Sequence, residues 1–449
     1  MKIFALVGKP NVGKSTFFNR LAKKRLAIVN ETPGVTRDRN MSPIDYKGYQ
    51  FLLIDTGGFE PDSKEIIPQK MKEQSQLAVE EADGIIFLLD KYSGWTHQDR
   101  EIYDFLRRSA KPVYFAVNKI DHTSHEHEVA EFYESGAEEI FPVSSEHGVG
   151  ISTLLESMAR DFPEIAGKDK SDRQDEGILS ISLVGRPNAG KSSLVNHFIG
   201  TTKQIVDETP GTTRDPVDNY CKFKQQELRL IDTAGIKRKS RVSMLIDKYS
   251  MIAAIRSIER SDVVLLIIDA TEGVVEQDAR IAGYIVERGK SLILVVNKWD
   301  LIEKDGKTME KMRQDVRDKL RFLDFAPILF VSAKSGKRVS TILDKALVVY
   351  KEFSKRIQTS DLNQILQSIT ARHTPPATGR KNTKLYYTAQ VSTRPPTFMI
   401  TSNYPKSINL SYKRYVIGQF RHFFGFEGAP IRILWRDRSK KNSNEENSP

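Results

Sequence analysis

A block of three short strings occurs twice in this chain, in the same order and at the same separation. Gly8-Lys9-Pro10-Asn11-Val12-Gly13-Lys14-Ser15 returns as Gly185-Arg186-Pro187-Asn188-Ala189-Gly190-Lys191-Ser192. Gly34-Val35-Thr36-Arg37-Asp38 returns as Gly211-Thr212-Thr213-Arg214-Asp215, and Asp55-Thr56-Gly57-Gly58 as Asp232-Thr233-Ala234-Gly235. The displacement is 177 residues each time. A glycine-rich string ending in Gly-Lys-Ser after an apolar run wraps phosphate groups at a helix N-terminus. One such string arises by chance. A registered set met twice implies two folded copies of one nucleotide-binding domain.

A fourth string points to the base. Asn118-Lys119-Ile120-Asp121 and Asn297-Lys298-Trp299-Asp300 each follow an apolar run, Val113–Val117 and Leu292–Val296. An ionised carboxylate only accepts hydrogen bonds. Asp121 or Asp300 therefore suits the ring N–H and exocyclic amine of guanine. Adenine lacks both donors at that edge, and a site built on such bonds rejects the wrong partner by ~10⁴ or more. GTP and GDP are the expected ligands.

The surrounding pattern places these strings. Strands are expected at Ile3–Val7, Ser42–Tyr46, Gln50–Ile54, Ile85–Leu89, Val113–Val117 and Ile140–Val143, with helices between. The second copy repeats them at Ile181–Val184, Glu227–Ile231, Val263–Ile268, Leu292–Val296 and Ile328–Val331. Alternating strands and helices imply an α/β fold, a mostly parallel sheet with helices on both faces. Ligands then bind outside the carboxyl ends of the strands, where all four strings lie. The expected organisation is a first domain at 1–165, a polar linker at 166–177, a second domain at 178–354, a basic module at 355–437 and a charged tail at 438–449. Within the module the pattern predicts helix 360–371, strands Lys384–Val391 and Thr397–Thr401, helix Ser411–Phe424 and strand Ile431–Trp435.

Each residue type suits a task. Lys14 and Lys191 neutralise β- and γ-phosphate oxygens, and Ser15 and Ser192 offer hydroxyls to Mg²⁺, a cation that prefers octahedral oxygen ligands. Asp55 and Asp232, at strand ends, hold that ion through water. Gly58 and Gly235 present a backbone N–H to the γ-phosphate without a blocking side chain. Thr36 and Thr213 lie in Gly/Pro-flanked loops that order on the γ-phosphate and release after hydrolysis, which makes them candidates for Mg²⁺ and for catalysis together with Lys14 and Lys191. Many GTPases carry a water-orienting Gln after the Asp-x-x-Gly string. Here Phe59 and Ile236 stand in that place. Asn11 and Asn188 leave two readings open: a side-chain oxygen for a monovalent cation that neutralises transition-state charge, or a group that satisfies the loop's own backbone.

Composition narrows the remaining classes. At 449 residues the chain is long enough for about three domains, at ~150 residues each. One cysteine, Cys221, rules out an intramolecular disulfide framework and fits a reducing cytoplasm. No run approaches the ~20 apolar residues of a membrane helix, and the run Ile3–Val7 is too short for an export signal. The net charge of +11 is concentrated late: residues 357–449 hold 14 Lys/Arg against five acids. A basic module on a near-neutral body points to a polyanionic partner.

The tandem strings followed by a basic module resemble the bacterial double-GTPase family known as Der or EngA, over nearly the whole chain. The resemblance implies two tandem P-loop GTPase domains plus a C-terminal α+β KH-like domain packed between them. It implies a potassium-stimulated GTPase that binds the ribosome and helps mature the large subunit; large-subunit RNA is the expected partner of the basic module, and a monomer is expected. It assigns a guanine-facing loop to Ser144-Ser145 and to Ser332-Ala333-Lys334, completing site sets that include Lys9, Pro10, Val12, Gly13, Thr56, Gly57, Lys119, Ile120, Arg186, Pro187, Ala189, Gly190, Thr233, Ala234, Lys298 and Trp299. It carries the potassium role onto Asn11, Asn188, Phe59 and Ile236. A KH domain clamps nucleic acid with Gly-x-x-Gly between two helices. The string Gly425-Phe426-Glu427-Gly428 falls instead between a helix and a strand, and Glu427 repels phosphate. RNA contacts are therefore expected on Lys413, Arg414 and Arg421, and on Arg380, Lys381 and Lys384. The module's aromatics (Tyr386, Phe398, Tyr412, Tyr415, Phe420, Phe423, Phe424 and Trp435) are expected in its core. Two rival readings are a GTP-gated RNA-binding scaffold with little turnover and a tRNA-modification or membrane-associated GTPase; the second lacks any amphipathic membrane segment.

Overall fold

The computed structural model describes residues 2–23, 41–56, 78–121, 123–163, 177–201, 203–204, 218–231, 246–303, 305–375 and 382–438. The chain divides into two compact units, Met1–Glu176 and Gly177–Pro449. Thr36, Gly57, Gly58, Phe59, Thr213, Asp232, Thr233, Ala234, Gly235, Ile236, Arg380 and Lys381 lie outside the described residues, as do 166–176 and 439–449.

The first unit is built on a six-stranded sheet in the order β2-β3-β1-β4-β5-β6. Its strands are β1 (Lys2–Val7), β2 (Met41–Tyr46), β3 (Tyr49–Asp55), β4 (Gly84–Asp90), β5 (Val113–Asn118) and β6 (Ile140–Pro142). All pairs are parallel except β2 with β3. The central strands are apolar runs buried on both faces, as parallel strands must be when helices cover them. Strand β2 carries Pro43 at the sheet edge, where a missing N–H does least harm. Helices α1 (Lys14–Lys23), α2 (His97–Arg107) and α3 (Ile151–Asp161) flank the sheet. Phe17 and Leu21 of α1 and Leu154 and Met158 of α3 meet Phe4, Leu6, Leu53 and Leu88 in one core.

The second unit repeats this plan with β7 (Leu179–Val184), α4 (Lys191–Thr201), β8 (Lys203–Gln204), β9 (Asn219–Phe223), β10 (Gln226–Leu230), α5 (Ile246–Arg260), β11 (Val263–Asp269), α6 (Glu276–Glu287), β12 (Ser291–Asn297), α7 (Thr308–Lys319), β13 (Ile328–Phe330) and α8 (Ser340–Ser354). The strand order is β13-β12-β11-β7-β10-β9-β8, with β8, β9 and β10 antiparallel to one another in turn. Strands β8 and β9 have no counterpart in the sequence-based expectation. Asn-Tyr-Cys-Lys-Phe has only a weak alternating pattern, and it is held by pairing with β10. Cys221 is buried there and packs as a small apolar residue.

The module follows in the same unit: α9 (Thr359–Arg372), β14 (Leu385–Ser392), β15 (Thr397–Ser402), α10 (Leu410–Phe424) and β16 (Arg432–Asp437). Strand β15 is central, antiparallel to β14 and parallel to β16. Phe398, Tyr412, Phe420 and Phe426 fill the core with Leu362, Leu366 and Ile369 of α9, and Tyr415, Phe424 and Trp435 pack against it. Two aromatics expected inside are outside: Tyr386 and Phe423 are about two-fifths exposed, 42% and 39%.

The Gly425–Gly428 string does lie between a helix and a strand, and it fastens the module to the second GTPase domain. Gly428 N donates to Phe325 O and Leu292 N donates to Gly428 O, both at 2.8 Å. Glu352 of α8 accepts from Phe426 N at 2.6 Å, and Glu427 pairs with Lys345 at 3.3 Å. Phe353 of α8 is itself part of the module's core. Further along the seam Arg432 donates to Glu287 O at 2.7 Å, and Arg394 lies 3.8 Å from Asp262.

Candidate nucleotide-binding sites

Each phosphate loop joins the carboxyl end of a central strand to a helix that begins with its lysine. Lys14 Nζ donates to Gly8 O at 2.9 Å and to Lys9 O at 2.8 Å. Lys191 Nζ repeats this with Gly185 O at 2.7 Å and Arg186 O at 2.5 Å. The ammonium thus sits in the mouth of the loop, the position expected for contact with phosphate oxygens. Gly13 and Gly190 are required as glycine. Both have left-handed backbones, with φ of +97° and +96°, and an added Cβ would stand 2.4 Å from Asn118 Nδ2 and 2.1 Å from Asn297 Nδ2. Asn11 and Asn188 are also left-handed, with φ of 66° and 60°, and both are exposed.

The asparagine of each Asn-Lys-x-Asp string is a strut between loops. Asn118 Nδ2 donates to Val12 O at 2.7 Å, while its Oδ1 accepts from Ser145 N at 2.9 Å and Ser145 Oγ at 2.8 Å. Asn297 joins Ala189 O at 2.8 Å to Ala333 N at 2.9 Å. Ser145 therefore adds a hydrogen bond that Ala333 cannot make. Asp121 is exposed at the rim, where Ser144 Oγ donates to it at 2.7 Å. Asp300 is likewise exposed. Ile120 and Trp299 are buried anchors beneath these carboxylates, and the Trp299 ring lies 4.6 Å from that of Phe330.

Two pairs of acids take part that the motif reading did not single out. Asp90 and Asp269, the last residues of β4 and β11, hold Lys119 and Lys298 at 2.6 Å in each case. Burial pushes the Asp269 carboxyl up, but bonds from Lys298 and Thr271 outweigh it and hold the group below its ordinary value. Asp99 and Asp278, fully buried in the first turns of α2 and α6, grip the second loop residue. Lys9 reaches Asp99 at 2.9 Å, and Arg186 reaches Asp278 at 3.3 Å and also Glu272. Burial raises the Asp278 carboxyl above its ordinary value, partly offset by the Val275 amide and Arg186. The repeat itself was the available signal, since each acid recurs at the matching place in the second copy.

Magnesium has a fitting donor set in the first site. Ser15 Oγ lies 3.4 Å from Asp55 Oδ2, so hydroxyl and carboxylate converge on one point at the helix start. Ser192 offers the same hydroxyl in the second copy; its partner Asp232 is outside the described residues. When bound, the ion neutralises phosphate oxygens. Thr56 is turned inward, with its hydroxyl donating to Leu6 O at 2.7 Å.

The basic face needs one correction. Arg421 is not available to RNA: its guanidinium donates to Phe426 O at 2.6 Å and Ala429 O at 3.0 Å and lies 4.5 Å over the Phe325 ring. Burial pushes its pKa down to about 10. Arg414 and Lys384 are exposed and Lys413 is half-buried.

A duplicated phosphate loop, guanine-type strings at the strand ends and an α+β module define a tandem P-loop GTPase. Family comparison agrees. The family described as 50S ribosome-binding GTPase matches residues 3–119 and again 180–298, and the KH-domain-like C-terminal domain of EngA bacterial GTPase enzymes matches 356–436. The chain belongs to the EngA, or Der, family of GTPases. It is 47% identical over 441 residues to GTPase Der of Geobacter metallireducens, covering 98% of this chain and 100% of that one. GTPase Der of Geotalea uraniireducens is 45% identical over 439 residues, covering 98% and 99%. Among the described residues no helix is long and apolar enough to cross a membrane.

Proposed function

We propose that this GTPase is a ribosome assembly factor whose two GTP sites control association with the large ribosomal subunit through its RNA, and that it acts as a cytoplasmic monomer. The observation that carries the reading is the basic module fastened by Gly425–Gly428 to a GTP-binding domain. Nucleotide state in that domain then bears on a surface suited to a polyanion. The family description, 50S ribosome-binding GTPase, supports the ribosomal partner. A single buried cysteine suits a reducing compartment. The test is co-sedimentation with large subunits across a salt series, with GDP and with a non-hydrolysable GTP analogue. Binding that depends on nucleotide and weakens steeply with salt is expected; equal binding in both states sinks the coupling.

Potassium stimulation belongs to the same proposal. Asn11 and Asn188 both have left-handed backbones and stand exposed in their loops, in positions open to a bound ion. Their exposed amide oxygens would hold the ion beside the phosphates, where it supplies positive charge. Turnover is expected to be faster in K⁺ than in Na⁺ at equal ionic strength, and Asn11→Ala or Asn188→Ala should abolish the difference at the altered site. Equal rates in the two salts for the parent chain would instead favour the slow-turnover scaffold.

A further inference from the structure

The module's sheet has one face covered by α9 and α10, and its other face carries an aromatic and arginine surface. Along β15, Phe398, Ile400 and Ser402 are buried towards the helices, so Met399 and Thr401 point the other way. Register places Tyr387, Thr401 and Arg436 in one row across the three strands, and Ala389, Met399 and Leu434 in the next. A bulge between Leu385 and Tyr387 adds Tyr386 to this surface, so two adjacent tyrosines are open, 42% and 46% exposed. The Arg438 guanidinium lies 4.5 Å over the Tyr386 ring, and Leu434 is 53% exposed. The module's described acids lie elsewhere. Asp361 is in the first turn of α9, Glu427 is paired with Lys345, and Asp437 falls in the inward row with Leu385 and Ser402.

We infer that this open sheet face binds single-stranded RNA, with Tyr386 and Tyr387 as stacking platforms and Arg436 and Arg438 on the backbone phosphates. The inference rests on the ribosomal RNA reading above and assigns it a surface and a strand form. Duplex RNA offers phosphates but keeps its bases stacked internally, so exposed tyrosines add nothing to it. Single strands offer every base face, and arginine beside tyrosine supplies charge and ring contact together. The Gly425–Gly428 loop is engaged with Phe325 and Leu292 and so does not serve as a nucleic-acid clamp.

The test is fluorescence anisotropy of the full chain with a labelled single-stranded oligoribonucleotide of roughly ten nucleotides and with a duplex of equal length. The Tyr386→Ala/Tyr387→Ala double variant should bind the single strand more weakly by about 30-fold or more, with GTP turnover unchanged as the folding control. The paired Tyr→Phe variant should bind like the parent. Arg436→Ala/Arg438→Ala should lower the slope of log affinity against log salt by about 1.4, for two phosphates on a single strand. Alanine variants that match the parent, or tighter duplex binding, overturn the inference. If the tyrosine variants lose subunit association while naked RNA binding is unchanged, the face belongs to a protein. If the parent neither co-sediments with subunits nor binds RNA, the ribosomal reading falls and this one with it; if the parent binds and the variants match it, only the face is wrong.

Discussion

Asn118 and Asn297 each tie the phosphate loop to the loop of Ser145 or Ala333 with one amide group, and neither amide is left for a base, whereas Asp121 and Asp300 stand exposed. Asp121→Asn or Asp300→Asn replaces one acceptor oxygen by a donor. Each should move its own site from guanine to xanthine nucleotides, as nucleotide titration of the single variants will report. Unchanged GTP affinity would remove the base role. Gly190→Ala, with a Cβ placed 2.1 Å from Asn297 Nδ2, should abolish GTP binding at the second site and spare the first. The placement of Asp121 and Asp300 just past β5 and β12 was legible because the motif follows an apolar run. The struts were not, because their partners are backbone atoms far away in sequence. Arg421 departs from expectation for a related reason. Arginine on an amphipathic helix reads as surface, and only the Gly425 turn brings the Phe426 and Ala429 carbonyls back over it. Arg421→Ala should cost about 3 kcal/mol or more in urea unfolding, from two lost charge-assisted bonds.

At the scale of elements, apolar runs announced the central strands to within a residue or two, whereas β8 and β9 needed their neighbours. A strand whose own pattern is weak forms because β10 presents a free edge. The Gly425–Gly428 loop shows the same dependence. Its spacing imitates an RNA clamp, yet its chemistry is that of a fastening. Gly428 has φ of +73°, and an added Cβ would lie 2.6 Å from Val349. Gly428→Val should therefore break the bond from Leu292 and loosen the module. The Leu292 amide should then exchange with deuterium many-fold faster while GTP still binds the second site. An unchanged exchange rate would show that the seam is held elsewhere.

Over the whole molecule, Gly177–Pro449 forms one compact unit that includes both the second GTP site and the basic module. Ligand binding stabilises the body that holds the site, by about 2.7 kcal/mol at a hundred times the dissociation constant. With Asp300→Asn, xanthosine triphosphate should raise the calorimetric transition of the second domain and the module together. With Asp121→Asn it should raise the transition of the first unit instead. A module that melts apart from the second domain would contradict a shared unit. The doubled strings revealed two GTPase domains, but nothing in the sequence showed that the module shares a core residue, Phe353, with the helix before it. One strand gives this union a mechanical meaning. Strand β12 receives the Gly428 carbonyl at Leu292 and ends at Asn297, the residue that braces the second phosphate loop. Tension applied to the module enters that strand at one end and reaches the nucleotide's cradle at the other. It runs along a strand held by β11 over its whole length and by β13 over Leu294–Val296.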